Sequence, residues 1–320
     1  MDAAFLQARI ARKTVEATDI VGLELAPLEG TSFPAFSAGS HIDVEIRPGL
    51  IRQYSLCNDP TERHRYQIGV LRDPASRGGS VAVHDELAEG QVIRIGAPRN
   101  HFALVPARRS LLFAGGIGVT PILCMAERLA QTGAAFELHY CSRSPDRTAY
   151  RRRIAQSSFA ERVHFHFDDG DAAQRLDLPA VLEPFDADTH LYVCGPGGFI
   201  EYVTGCARTR GWPAAQIHFE YFAGQAVDTA GDGSFEVMLA SSGRVLTIPG
   251  GRTVVAVLAE NGVEVPVSCE QGVCGTCLTR VLEGEVDHRD NFLLDHERAA
   301  NNQFTPCCSR ARSKRLVLDL

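Results

Sequence analysis

Ten cysteines are present, and five of them crowd between positions 269 and 308. Cys269, Cys274 and Cys277 are spaced C-x4-C-x2-C within Ser268-Cys269-Glu270-Gln271-Gly272-Val273-Cys274-Gly275-Thr276-Cys277, and Cys307 follows thirty positions after Cys277. Thiolates at this spacing form the plant-type pattern for a [2Fe–2S] cluster. Each tetrahedral iron takes two of them beside two bridging sulfides. A four-cysteine zinc site is the alternative, but zinc sites usually carry paired C-x2-C units. Three cysteines in nine residues favour the cluster. Cys307 and its neighbour Cys308 both qualify as the fourth ligand. Gly272 and Gly275 suit a backbone that curls round a cluster and turns amide N–H groups towards sulfur. The five other cysteines (Cys57, Cys124, Cys141, Cys194 and Cys206) are scattered and read as small buried hydrophobes.

Two glycine-rich turns offer phosphate chemistry. Ala114-Gly115-Gly116-Ile117-Gly118-Val119-Thr120-Pro121 joins a strand to a helix, where the backbone can approach a pyrophosphate and the helix start favours an anion. It is not G-x-G-x-x-G, so the dinucleotide fingerprint is absent, and alone it reads equally well as a tight strand–helix turn. Cys194-Gly195-Pro196-Gly197-Gly198 is a second such turn after the strand Leu191–Val193. Earlier, Arg52-Gln53-Tyr54-Ser55 ends a strand and Arg77-Gly78-Gly79-Ser80 forms a loop. A guanidinium binds phosphate bidentately. A tyrosine ring can pack on an isoalloxazine, a serine hydroxyl can reach its N5, and glycine amides can hold a phosphate. A flavin makes sense of both pieces, although R-x-Y-S by itself also describes an ordinary barrel strand.

The elements that must position these residues fall into three blocks. Residues 1–106 contain short strands (Ile20–Leu25, Ser40–Ile46, Arg65–Val70, Val92–Ile95) punctuated by Gly, Pro, Asn and Asp, as in an all-β barrel or sandwich. Residues 107–224 alternate strands with helices, predicting a parallel sheet: Leu111–Ala114, a helix over Pro121–Gln131, Phe136–Tyr140, a helix over Arg147–Ala155, Val163–Phe167 and Leu191–Cys194. The run from Gly224 to Ser234 is small, polar and glycine-rich, and 225–234 reads as a linker. Residues 235–320 carry a hairpin about Ser241-Ser242-Gly243, a helix over Thr253–Glu260, the cysteine loop and a last strand over Arg315–Leu320.

The formal net charge of −7 argues against a nucleic-acid partner. No apolar run is long enough for a membrane span, and residues 1–13 do not read as a signal peptide, so a cytoplasmic chain is expected. Only Lys13 and Lys314 among 32 basic residues are lysine, which reflects composition rather than function. His164 and His166 share a strand face and read as a structural pair; Arg151-Arg152-Arg153 reads as a solvated helix face.

The cysteine loop, Gly284-Glu285-Val286-Asp287-His288-Arg289-Asp290, and Cys307-Cys308-Ser309-Arg310 ahead of Leu316-Val317-Leu318-Asp319-Leu320 together resemble the ferredoxin domain of the phthalate dioxygenase reductase and vanillate O-demethylase reductase family. The run from Asn58 to Arg72 and the Arg77–Ser80 loop resemble its flavin barrel, and the likeness extends over nearly the whole chain. It implies a Greek-key flavin barrel (1–106), an α/β nicotinamide domain (107–224) and a β-grasp ferredoxin domain (235–320). It implies Cys269, Cys274, Cys277 and Cys307 as cluster ligands, the last being the first cysteine before Ser-Arg. It implies flavin contacts from Arg52, Gln53, Tyr54, Ser55, Gly78, Gly79 and Ser80, from the backbone of Val70, Leu71 and Arg72, and from Phe222, which otherwise reads as a core residue. FMN is favoured over FAD. Nicotinamide contacts are implied for Gly115, Gly116, Gly118, Thr120, Ser142, Arg143, Cys194, Gly195 and Pro196, with NADH favoured over NADPH. Ser55 and Cys194 are expected nearest the transferred hydride, Cys194 in alignment rather than as a nucleophile.

These sites compose one circuit. Nicotinamide yields two electrons together, the cluster takes them singly, and a flavin that does both must stand between them. The resemblance implies a monomeric reductase serving a separately encoded Rieske-type aromatic oxygenase or O-demethylase. The alternative is an iron–sulfur flavoprotein that carries electrons or senses redox state without an oxygenase.

Overall fold

The computed structural model describes residues 5–29, 31–183, 186, 188–224 and 231–320. The part of the expected linker from 225 to 230 lies outside them. The chain divides into two compact units, Met1–Glu220 and Tyr221–Leu320.

The first unit begins with a seven-stranded antiparallel sheet: β1 Leu6–Ala17, β2 Ile20–Pro27, β3 Ser40–Arg47, β4 Leu50–Ser55, β5 Tyr66–Leu71, β6 Val92–Ile95 and β7 Arg99–Asn100. Its order is β4-β3-β6-β1-β2-β5, with β7 beside β3. The sheet closes into a barrel where Leu56 bridges Ile68, which removes the exposed edges. Alternate residues point inward, so Ile10, Leu23, Leu25, Ile42, Val44, Leu56, Tyr66, Ile68 and Ile95 form the core. Helix α1 (Gly79–Glu86) directly follows the Arg77-Gly78 turn and was not foreseen from sequence. Lys13 Nζ holds its far end, donating to the carbonyls of Val83, His84 and Leu87 at 2.6–3.1 Å.

A parallel sheet follows: β8 Arg109–Gly115, β9 Ala135–Ser142, β10 Val163–Phe167, β11 Thr189–Cys194 and β12 Ile217–Glu220, in the order β10-β9-β8-β11-β12. Helices α2 (Val119–Gln131), α3 (Arg151–Ala155), α4 (Leu178–Val181) and α5 (Gly197–Thr209) connect its strands. Helix α3 is shorter than the expected 147–155 because Tyr150 takes a left-handed φ of 61°. That turn buries the Tyr150 hydroxyl beside Cys57 Sγ at 3.6 Å. Strand order reverses between β8 and β11, and in such sheets ligands bind at the carboxyl ends beside this switch point.

The second unit contains β13 Phe235–Leu239, β14 Val245–Ile248, α6 Val254–Glu260, β15 Thr279–Glu283, β16 Val286–Asp287, α7 Asp295–Ala300, β17 Gln303–Phe304, β18 Arg310–Ala311 and β19 Arg315–Leu318. The main sheet runs β14-β13-β19-β15-β17, and β16 pairs with β18. Thr253 caps α6 by accepting from Ala256 N. Phe235, Val237, Ile248, Val254, Leu258, Phe304, Leu316 and Leu318 form its core. Asp232 is held by a bidentate pair from Arg289 at 2.7 and 3.1 Å and by Arg310 at 3.4 Å. Among the described residues no helix is long and apolar enough to cross a membrane.

Candidate functional site

At the switch point the two glycine turns touch backbone to backbone. A Cβ on Gly118 would overlap the carbonyl of Cys194, and one on Gly195 would come within 2.9 Å of Gly115 Cα. A Cβ on Gly115 would strike Pro196 and the Phe199 ring at 2.8–2.9 Å. Gly116 (φ 52°) has nothing within 4 Å of its Cβ direction, leaving an open face above the turn. Thr120 is buried and donates to Ile117 O at 3.2 Å, closing the turn into α2. Helix α2 leads away from this open face with its amino end towards it, an arrangement that suits a pyrophosphate.

Cys194 and Glu220 are register partners on β11 and β12, and Ser55 ends β4 of the barrel. Ser55 Oγ donates to Glu220 Oε2 at 3.3 Å. Burial pushes the Glu220 carboxyl up to about 8, while the Ser55 bond opposes the rise. Burial, with Glu220 alongside, also holds the Cys194 thiol well above its ordinary range. Cys194 is therefore a neutral thiol, unsuited to nucleophilic attack. Glu220 was not singled out from sequence; its signal was an acid at the end of a strand that follows the Cys-Gly-Pro turn.

The Arg52 side chain lies over Gly79, where a Cβ would be 2.6 Å from it, and Arg52 Nη2 donates to Arg77 O at 3.1 Å. Gly78 (φ 79°) has open space around it. The guanidinium and the loop amides at the start of α1 thus form one cradle, whose charge and donors fit a flavin phosphate. Ser80 Oγ turns back to Ser76 and Asp73 N at 3.0 and 3.1 Å. Gln53 Nε2 donates to Asp43 Oδ1 at 3.1 Å, and burial raises the Tyr54 hydroxyl above its ordinary range. Val70 O bonds His84 Nε2 at 2.9 Å, Leu71 pairs with Ile20 and Arg72 N bonds Asp19 O at 2.7 Å. The Arg72 guanidinium makes a bidentate pair with Asp85.

Towards the edge of the parallel sheet, Ser142 Oγ shares a hydrogen bond with Thr148 Oγ1 at 2.6 Å. Arg143 is exposed, with no ion-pair partner among the described residues. Phe222 falls in the second unit and is 39% exposed, not the core residue its type alone predicts.

In the second unit Cys274, Cys277 and Cys307 are buried and Cys269 is half-buried, none in a disulfide. The four sulfurs lie within interaction distance of one another, Cys269 beside Cys274 and Cys307, and Cys277 beside Cys307. Gln271 N and Val273 N both point at Cys269 Sγ at 3.4 Å, and Thr276 N at Cys274 Sγ at 3.5 Å. The bonds from Cys274 and Cys307 hold Cys269 well below the usual thiol range. Gly272 (φ 71°) and Gly275 (φ 67°) are wedged against Cys308 Sγ and the Phe292 ring, where no Cβ fits. Among the described residues no group of three or more His, Cys, Asp or Glu side chains frames a single metal ion. Four neighbouring sulfurs with amide donors pointing at them suit the wider di-iron group instead, with two thiolates for each iron.

Residues 237–312 match the family model for the 2Fe-2S iron-sulfur cluster binding domain. The chain is 55% identical over 317 residues to a vanillate O-demethylase oxidoreductase of Pseudomonas putida, covering 98% of this chain and 100% of the relative. It is 40% identical over 318 residues to the phthalate dioxygenase reductase of Burkholderia cepacia, covering 99% and 98%. A solved phthalate dioxygenase reductase, described as a modular structure for electron transfer from pyridine nucleotides to [2Fe-2S], superposes with a TM-score of 0.77 at 39% identity, covering 99% of this chain and 98% of that one. The chain therefore belongs to the vanillate O-demethylase oxidoreductase and phthalate dioxygenase reductase family, and is an NAD(P)H-dependent iron–sulfur flavoprotein oxidoreductase.

Proposed function

We propose that this chain is the NADH-dependent, FMN-containing reductase of a separately encoded Rieske-type aromatic oxygenase or O-demethylase, acting as a cytoplasmic monomer. In this reading residues 1–106 hold the flavin, 107–224 the nicotinamide and 235–320 the cluster, with 225–234 as linker. A flavin accepts hydride and returns single electrons, which suits it to stand between nicotinamide and a [2Fe–2S] cluster.

The observation that carries the reading is the meeting of Ser55, Cys194 and Glu220 beside the switch point. Ser55, fixed by Glu220, presents a hydroxyl where the ring of a flavin seated on Arg52 and the Gly78-Gly79 loop would end. Tyr54 lines the same strand. Cys194, fully buried and held neutral, would back the nicotinamide site without adding charge, and the Gly115–Gly118 turn would hold the pyrophosphate. Glu220 keeps its proton near neutrality and so adds no negative charge where hydride must travel. Cys269 and Cys274 would hold one iron, and Cys277 and Cys307 the other.

The exposed Arg143 is compatible with either nicotinamide cofactor. FMN rests on the resemblance of Asn58–Arg72 and Arg77–Ser80 to the flavin barrel of that family. The oxygenase partner rests on relatives such as the phthalate 4,5-dioxygenase oxygenase reductase subunit of Pseudomonas putida, 42% identical over 322 residues. Reconstitution tests the whole reading. Purified chain, NADH and a vanillate O-demethylase or phthalate dioxygenase oxygenase component should yield demethylated or dihydroxylated product. Reduction of cytochrome c without product from any aromatic oxygenase would contradict the partner assignment.

A further inference from the structure

Behind the cysteine loop lies a half-buried histidine facing a buried carboxyl group, outside the circuit described above. The His288 side chain is 11% exposed, and neither ring nitrogen has a hydrogen-bond partner. Its Nδ1 stands 3.6 Å from Oδ1 of Asp290, whose side chain is fully buried. A buried imidazole with both nitrogens idle is costly, and taking up a proton turns its approach to the carboxylate into an ion pair with both ring nitrogens as donors. Asp290 is ready to receive that cation. Its Oδ2 accepts from Phe292 N and Leu293 N at 3.1 and 2.7 Å, and its Oδ1 accepts from Ser309 Oγ at 3.4 Å.

The same carboxylate is tied to the cluster segments on both sides. Asn291 N donates to Gly272 O at 2.9 Å, at the middle of the Cys269–Cys274 loop. A Cβ on Gly272 would lie 2.9 Å from Asp290 Cα. Ser309 Oγ meets Thr305 Oγ1 at 3.1 Å, and Thr305 Oγ1 meets Cys308 Sγ at 3.3 Å. The charged groups facing His288 are Asp290, Arg298 on α7 and Arg312 after β18. Arg298 donates to Asp290 O at 2.5 Å, and Arg312 lies near Glu285 and Asp287 at 3.6 and 3.8 Å.

We propose that His288 is the proton acceptor linked to the one-electron step, so that an electron reaching the cluster draws one proton from solvent onto the imidazole, facing Asp290. The inference rests on the cluster assignment above. One electron enters by the established activity, one proton enters from water, and both leave when the electron moves on. The added negative charge is thereby neutralised inside the fold. Burial keeps His288 below its ordinary range before the electron arrives, with Arg298 and Arg312 acting in the same direction and Asp290 opposing. The nearby electron raises it. Between those two values each pH unit shifts the reduction equilibrium tenfold, or 59 mV for one electron.

The test is a potentiometric titration of the full-length, cluster-loaded chain from pH 5.5 to 8.5, following the EPR signal of the reduced cluster. Wild type should show a midpoint that falls with pH at up to 59 mV per unit, flat at the extremes. His288→Gln should be flat throughout with iron content and EPR line shape unchanged. Arg312→Gln, at an exposed side chain, should move the sloping region to higher pH. A pH-independent wild-type midpoint, or a slope that survives in His288→Gln, overturns the inference and leaves the cluster assignment intact. A chain that binds no iron overturns both.

Discussion

Between β8 and β11, the backbones of Gly115, Gly118, Cys194 and Gly195 rest on one another, and hydrogen-bonded parallel strands fix their positions before any ligand arrives. In the cysteine loop the glycines instead press on side chains, Gly272 on Cys308 and Gly275 on the Phe292 ring, and no regular ladder runs from Cys269 to Cys277. The crevice obtains its shape from the sheet, whereas the loop obtains much of its stability from what its thiolates bind, because metal-site binding energy is also folding energy. Damage to the crevice should therefore impair one step in a folded molecule. Damage to the loop should cost the second unit its order.

The sharpest contrast comes from Cys277→Ser. It should abolish the cluster's iron, sulfide and visible absorbance, and make residues 235–320 sensitive to protease, while NADH still bleaches the flavin at its normal rate. Stopped-flow absorbance and limited proteolysis check this. Gly118→Ala should do the reverse. Overpacking against the Cys194 carbonyl costs about 1–3 kcal/mol, enough to slow flavin reduction roughly 10- to 100-fold, with the iron content intact.

Glu220 sharpens the comparison on the crevice side. Its carboxyl is raised from the ordinary range to about 8 by burial. The folded state thus holds a proton that the unfolded chain has released, and stability falls as pH rises from about 4.5 towards about 8. Glu220→Gln should stabilise the fold most above pH 8, by on the order of a few kcal/mol, with little effect below pH 5, read as a melting temperature that rises only at the higher pH. The pH dependence of flavin reduction should lose its inflection near 8. The smallest change is expected from Arg143→Ala. An exposed charge contributes roughly 0.2–1 kcal/mol, so the KM for NADH should rise about 2- to 5-fold and kcat should stay constant.

Much of this was legible from residue spacing. The cysteine pattern and the two glycine turns depend on local chain geometry, so they could be read without tertiary information. Positions set by packing were not legible. Helix α3 starts only after Tyr150 because a buried hydroxyl contact there overrides the helical start expected at Arg147. Helix α1 has little apolar periodicity, and Lys13, distant in sequence, holds its last carbonyls. Glu220 carried no motif, and only the pairing of β11 with β12 sets it beside Cys194 and within reach of Ser55. His288 sits within a stretch that the resemblance covers, yet its idle ring nitrogens emerge only once Asp290 is folded against Gly272.

The central claim is that hydride enters at the crevice and leaves as single electrons through the thiolate-held cluster. Anaerobic addition of NADH to the purified chain, frozen within seconds and examined by EPR, tests it most directly. The account predicts two irons and two sulfides per chain and a rhombic signal of a reduced [2Fe–2S] cluster, appearing together with loss of flavin absorbance. A bleached flavin with no such signal, or zinc in place of iron, would contradict it.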